Sequence, residues 1–308
     1  MLSAFLLILP IMLCIAFGWL LKHRGILTDR GAADMNSFIF YGAMPAILFR
    51  TTLRVEAEHF SDWHFLAVIH GVYFALLAAA WFGSGARGFD VKKRASSVLM
   101  AIRSNNVFMG MPAALMLWGD EGSVSFARFV ALSVLGFEVL SAMFGLMARS
   151  GGFSLHSLKR VLLKLPRNPL VVAVVAGLAW GLLVPFEFPK WLDETLKIIG
   201  NTGTGIALAT LGMRLNLSTL LSDLARSWSD ILIRLVLSPV LLAVGFYFLP
   251  TDALLMKTSI LIMSMPVAVN SFTLAEEFDL DSDYAAQTIV ATTIASVVTL
   301  PVVISFLL

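Results

Sequence analysis

Val98–Trp118 reads VLMAIRSNNVFMGMPAALMLW. Its ends are apolar and its centre is polar: Arg103, Ser104, Asn105 and Asn106 stand in a row, with Gly110 and Pro112 just beyond. Adjacent asparagines compete with a helix for its own backbone groups. Proline removes a donor and clashes with the turn before it. The prediction is a helix interrupted at its middle. Ser259–Glu277, SILIMSMPVAVNSFTLAEE, follows the same plan, with Ser264, Pro266, Asn270 and Ser271 at its centre.

The surrounding chain says where such helices lie. Its 308 residues are 58% hydrophobic and 14% charged, against about 25% charged in soluble domains. Residues 1–21 and 284–308 contain no charged side chain, and apolar runs of about 20 residues span a bilayer. Lys22, His23 and Arg24 follow the first run instead of preceding it. That predicts a membrane helix with its N-terminus outside, and not a signal peptide. A net charge of +2 gives no reason to expect nucleic acid as a partner. The single cysteine, Cys14, excludes an internal disulfide framework or a cysteine-based metal cluster.

Ten transmembrane segments are expected, at about 2–21, 34–50, 63–83, 94–118, 126–148, 168–185, 191–213, 228–249, 254–275 and 284–307. All seven tryptophans fall near a proposed segment end, as an aromatic belt at the headgroups requires. The odd-numbered connections carry 14 Lys and Arg and the even ones six. The odd connections are therefore read as cytoplasmic and both termini as outside. The longest connection, about 149–167, divides the chain into 1–150 and 151–308 with five segments each. An odd number per half brings the second half in from the opposite face, which is the pattern of an inverted repeat. The fold class is an all-α membrane protein of two inverted five-helix repeats.

The two interrupted stretches are the fourth segment of each half. Irregular backbone at membrane depth survives only against protein or a wet cavity. Paired interruptions in matching segments point to a transporter's substrate site. The candidate binding residues are Arg103, Ser104, Asn105, Asn106, Pro266 and Asn270. The competing reading is a pair of structural proline kinks. Arg103 lies too deep to reach the interface easily, and a cation there demands a partner or water. With a half-helix N-terminus nearby it favours an anion such as a carboxylate; a salt bridge to Glu138 is the alternative, and both fit different states. Glu138, mid-segment, is also a candidate for proton coupling. His70 is a second candidate, with a packing role as its alternative. Arg234, one or two turns into segment eight, is expected to snorkel to the interface.

Two other patterns carry no chemistry. GNTGTG at Gly200–Gly205 lacks the preceding strand of a phosphate loop and sits in a membrane segment, so a close helix contact or local unwinding is expected. Asp279, Asp281 and Asp283 have the spacing of calcium ligands, but Tyr284 replaces the turn glycine and no glutamate closes the loop. A solvated acidic connection is expected. No catalytic constellation, cofactor motif or metal-ligand pattern is present in the sequence.

Four short patterns, taken in order, resemble the auxin efflux carrier family of membrane transporters. Asn105 to Pro112 resembles the family's fourth-helix pattern of asparagine, apolar residues and Gly-x-Pro. Met265-Pro266 followed by Ala275-Glu276-Glu277-Phe278 resembles its ninth-helix pattern. Leu211-Gly212-Met213 and Ala43-Met44-Pro45-Ala46 are similar to segments of helices seven and two. The resemblance implies ten helices in two inverted repeats, with broken helices four and nine crossing near the substrate. It implies a scaffold of helices one, two, six and seven that forms a homodimer, and a moving transport domain, related in fold to bile-acid transporters and sodium/proton antiporters. Asn105 matches the family's binding-site asparagine, and Pro266 its crossing proline. Ser104 stands where plant members carry a proline, which implies a milder break. Arg103 implies a substrate more anionic than auxin. The short central connection implies a bacterial permease of the inner membrane.

The expected function is secondary transport of small organic anions, mono- or dicarboxylates, by alternating access. Proton symport, proton antiport and simple uniport are all open, and sodium is a further candidate ion, since carbonyls at a broken helix hold sodium without a side-chain signature. Membrane lipid is the surrounding partner, and no cofactor is called for. A non-transporting sensor using the same cavity is the alternative, and a membrane enzyme would need more clustered polar side chains than Arg103, Glu138 and His70.

Overall fold

The computed structural model describes residues 2–53, 55, 61–150, 163, 165–213 and 220–308; within its helices, the side chains at 2–8, 11, 134, 135, 138, 139, 141–150, 204, 220, 221, 273 and 277 are not described. Regular structure among these residues is helical, apart from one isolated bridge between two extended stretches. In order, the helices are α1 (Leu2–His23), α2 (29–52), α3 (Trp63–Ala86), α4 (Val91–Ile102), α5 (Met111–Ser150), α6 (Pro169–Leu183), α7 (Lys190–Met213), α8 (Leu220–Arg226), α9 (Trp228–Phe248), α10 (Ala253–Met263), α11 (Ser271–Glu277) and α12 (Ser282–Leu307).

The connections supply the helix starts. A side-chain oxygen accepts a backbone N–H of the first turn at Thr28, Asp62, Asp90, Asn168, Asp252 and Asp281, satisfying donors that the helix itself cannot. The acidic connection before α12 is thereby explained. Asp281 caps the helix through Tyr284 N–H, and Asp279 pairs with Lys92 at 2.6 Å.

Prolines shape the helix interiors. Wide π-turns occupy Ile39–Ala43, Asn106–Gly110 and Ile233–Leu237, and each ends two residues before a proline: Pro45, Pro112 and Pro239. Proline would press on the carbonyl four residues back, and a widened turn relieves that clash while the helix continues. Gly119 turns α5 sharply, with φ 61° and ψ −143°, a conformation that glycine adopts without a Cβ clash. That bend is the whole of the connection expected between 118 and 126.

Among the described residues, three helices, α3, α9 and α12, are long and apolar enough to cross a membrane, with 24, 21 and 26 residues. Their outward faces carry large apolar side chains in the open, including Phe74, Phe82, Tyr247, Phe248 and Phe306, which suit a lipid surround. Trp63, Trp191 and Trp228 are exposed at the first residues of α3, α7 and α9, where an interfacial belt sits.

Helices α1, α2, α6 and α7 pack on one another, and α3, α4, α5, α9 and α10 form a second group. Small residues bring the first group close. A Cβ on Gly212 would overlap the Ile15 carbonyl, and one on Gly18 the Ala209 carbonyl. Gly200 and Gly203, from the GNTGTG run, lie in unbroken helix, where a Cβ would come within 2.7 Å of Ile47 and 2.6 Å of Ala43. The run is a close contact between α7 and α2, and no unwinding occurs there. Arg50 of α2 donates to both Asp193 oxygens of α7, at 2.6 and 2.9 Å.

Candidate functional site

Both predicted interruptions are breaks in the helix. Arg103 leaves α4 in an extended conformation (φ −99°, ψ 90°), and helical structure resumes at Asn106. The second break runs from Ser264 to Asn270, between α10 and α11. The stretch at Ser104 is thus shorter than the one built around Pro266.

The two breaks lie side by side and satisfy each other. Ser104 and Val267 form an antiparallel bridge. Asn105 N–H donates to the Pro266 carbonyl at 2.8 Å, and Ala268 N–H donates to the Arg103 carbonyl at 2.9 Å. Val267 N–H reaches the Thr292 hydroxyl of α12 at 3.2 Å. Unpaired backbone groups are not tolerated in a dry interior; here each broken helix supplies the partners the other lost. Asn105 O takes up the N–H groups of Met109 and Gly110, at 3.2 and 3.0 Å, which starts the next helical turn. The Ser104 hydroxyl hydrogen-bonds the Asn106 side-chain oxygen.

Beside this crossing lies a cavity of about 40 Å³. Arg103, Ser104, Asn105, Asn106 and Asn270 line it, together with Met44 and Leu48 of α2, Leu170 of α6, and Val130 and Phe137 of α5. Five of the six predicted binding residues therefore share one cavity; the sixth, Pro266, contributes its carbonyl to the crossing behind it. All five are largely shielded, with Arg103 at 4% exposure and Asn105 at 1%. Asn105 Nδ2 is buried with no hydrogen-bond acceptor among the described residues. A buried donor of this kind calls for a water or a ligand. The Arg103 guanidinium sits 5.3 Å from the centroid of Phe137 and has further partners. What the site offers is one cation and several amide groups around a small space walled on its far side by apolar side chains. That is a chemistry for holding a carboxylate.

The proton-coupling candidates are placed differently. Glu138 follows Phe137 in α5, and its side chain lies outside the described residues, as does any salt bridge from it to Arg103. His70 is on α3, away from the cavity lining. Its Nδ1 lies 2.9 Å from the Leu66 carbonyl of its own helix, its Nε2 side packs on Gly136 of α5, and its ring meets Tyr73 edge-on.

Arg234 corrects the sequence reading. It does not snorkel: the side chain is fully buried. Nη1 donates to the Ala101 carbonyl at 2.9 Å, and Nη2 donates to Ser238 Oγ at 2.9 Å and to the Met263 carbonyl. The helix faces inward at this position, so the side chain finds carbonyls closer than the interface. Asp230 sits near the start of its segment, where the sequence gives no sign of burial. It too is fully buried, and accepts hydrogen bonds from Ser97 Oγ at 2.5 Å and from the Tyr284 hydroxyl.

Known proteins match this chain along its length. A family profile described as "Membrane transport protein" matches residues 3–157 and 150–304. An "Uncharacterized transporter" of Methanothermobacter thermautotrophicus is 28% identical over 298 residues, 96% of this chain and 95% of that one. A protein of Rhizobium meliloti named "Putative malonate transporter" is 28% identical over 305 residues, 95% of this chain and 92% of the relative. "Auxin efflux carrier component 8" of Arabidopsis thaliana is 22% identical over 323 residues, covering 88% of each. Matched from end to end by the profile and by carriers from archaea, bacteria and plants, the chain belongs to the auxin efflux carrier family of membrane transport proteins.

Proposed function

We propose that this protein is a secondary transporter of small organic anions, mono- or dicarboxylates, working by alternating access. The observation that carries the reading is the cavity at the crossing of two broken helices, lined by Arg103, Asn105, Asn106 and Asn270. A guanidinium and amide donors in a shielded space recognise carboxylate by charge-assisted hydrogen bonds. The name of the Rhizobium relative points to the same chemistry, a three-carbon dicarboxylate.

The reading includes ten membrane helices in two inverted repeats, 1–150 and 151–308, with both termini outside. The two spans matched by the family profile divide the chain at 150–157, near the same boundary. In this arrangement α1, α2, α6 and α7 are the scaffold, forming a homodimer, and the helices around the crossing move against it. The cavity lies between those two groups. At about 40 Å³ it holds about three waters and no dicarboxylate. Substrate entry therefore requires Met44, Leu48 and Leu170 to part from the crossing, a relative motion of the two groups. Protons are the candidate coupling ion in this scheme, with Glu138 and His70 as the candidate carriers.

Counterflow of labelled malonate into liposomes containing the purified protein tests the reading. Wild type should exchange label and Arg103→Ala should lose most of that exchange. No exchange with malonate or with a broad panel of carboxylates would overturn the transport claim. Glu138→Gln should flatten the pH dependence of uptake; an unaltered profile removes Glu138 from the coupling path.

A further inference from the structure

The two breaks leave two half-helix C-termini, those of α4 and α10, facing each other inside the protein. A helix C-terminus carries a partial charge of about −0.5 on its unsatisfied carbonyls. Two of them together present close to one full negative charge, made entirely of backbone. At a site deep within a membrane protein that charge needs a cation, and in transporters such half-helix ends coordinate sodium or a proton.

Here the position is taken by the protein itself. The Arg234 guanidinium lies between the two ends. It donates to Ala101 O, the second-last residue of α4, at 2.9 Å, and to Met263 O, the last residue of α10. Ser238 Oγ accepts from the same guanidinium at 2.9 Å and donates to the Met263 carbonyl at 2.9 Å. Arg234 is fully buried, and no carboxylate forms an ion pair with it among the described residues. The negative groups it meets among those residues are the carbonyls of the two helix ends. The side chain is delivered by the π-turn Ile233–Leu237 in α9, the wide turn forced by Pro239.

We propose that Arg234 is a tethered replacement for a coupling metal cation: its guanidinium fills the meeting point of the two half-helix C-termini, and the carrier needs no sodium there. A sodium ion at the same carbonyls would meet the guanidinium charge at contact distance. Removing the side chain should convert the position into a site for a free monovalent cation, because the carbonyls and Ser238 Oγ remain. The inference rests on the carrier reading only for its functional meaning; the ion site itself is tested without substrate.

The first test is thermal unfolding of the purified protein in sodium chloride and in choline chloride. Wild type should give one midpoint in both. Arg234→Ala should unfold at a lower temperature in choline, and added sodium or low guanidinium should recover part of the loss. Binding of radioactive sodium should be absent in wild type and present in the variant. A wild type that binds sodium or is stabilised by it overturns the proposal, as does a folded Arg234→Ala indifferent to both cations. Should that variant fail to fold, Arg234→Lys keeps a tethered charge and should stay indifferent to sodium; a Lys variant stabilised by sodium overturns the proposal equally. Malonate counterflow should be equal in sodium and choline, and sodium-dependent flux overturns it. No malonate flux at all counts against the transport reading and leaves the unfolding and binding results to decide this one.

Discussion

Asn105 donates its backbone N–H to the carbonyl of Pro266 at 2.8 Å, which ties the two helix breaks together through atoms that no side-chain substitution removes. Asn105→Ala is therefore expected to fold normally while losing the buried Nδ2 donor at the cavity. A hydrogen bond to a charged ligand contributes about 1.5–3 kcal/mol, so the half-saturating concentration in malonate counterflow should rise about tenfold or more. An unchanged concentration dependence removes Asn105 from the site.

The same crossing is held from behind by Thr292. Its hydroxyl accepts the Val267 N–H at 3.2 Å and donates into its own helix, to the Thr288 carbonyl at 2.8 Å. Thr292→Val has nearly the same shape but offers no acceptor, leaving Val267 N–H buried and unpaired. The expected loss is about 1–3 kcal/mol of stability, read as a lower unfolding midpoint, with Thr292→Ser close to wild type. Equal midpoints for the valine and serine variants would show that the break needs no support from α12.

These residues differ in how far the sequence announced them. The breaks were legible because proline and paired asparagines have a backbone consequence that does not depend on neighbours. Asn105, Asn270 and Arg103 were legible for the same reason, standing at those breaks. The far wall of the cavity was not. Met44, Leu48 and Leu170 are apolar residues on apolar helices, and a side chain facing lipid looks the same in sequence as one facing protein. The direction of Arg234 is not legible, because depth along a helix says nothing about direction around it. Its destination depends on carbonyls freed by two distant breaks, at Ala101 and Met263. Asp230 carries no sign in the sequence, because it lies near its segment start and its donors come from α4 and α12, 133 and 54 residues away in the chain.

Close packing of α1 on α7 gives a sharp contrast between glycines. A Cβ on Gly212 would overlap the Ile15 carbonyl, whereas at Gly205 in the same helix nothing lies within 4 Å. Backbone cannot yield as a flexible side chain does, and overpacking costs about 1–3 kcal/mol or more. Gly212→Ala should lower the unfolding midpoint clearly. Gly205→Ala should leave it unchanged or raise it, since alanine favours helix by about 1 kcal/mol. If both variants unfold alike, the contact between α1 and α7 is looser than this geometry.

Asp230 joins three helices through one carboxylate. It sits on α9 and accepts from Ser97 of α4 at 2.5 Å and from the Tyr284 hydroxyl of α12. Arg87, near the end of α3, approaches the same corner, donating to Ser229 Oγ at 2.6 Å and to the Arg226 carbonyl at 2.7 Å. Removing the carboxylate strands two buried hydroxyl donors, and each stranded donor costs about 1–3 kcal/mol. Asp230→Ala should therefore destabilise more than Tyr284→Phe, which removes a donor and leaves the carboxylate its bond to Ser97. The two changes should also be strongly non-additive. Once Asp230 is gone, losing the Tyr284 hydroxyl removes a liability, so the second substitution should cost little or recover stability. A double-mutant cycle by thermal unfolding measures this, with a coupling of about 0.5–3 kcal/mol expected for groups in contact. Additive effects would mean that the Tyr284 hydroxyl is satisfied elsewhere, and that the α9–α12 junction depends on apolar packing alone.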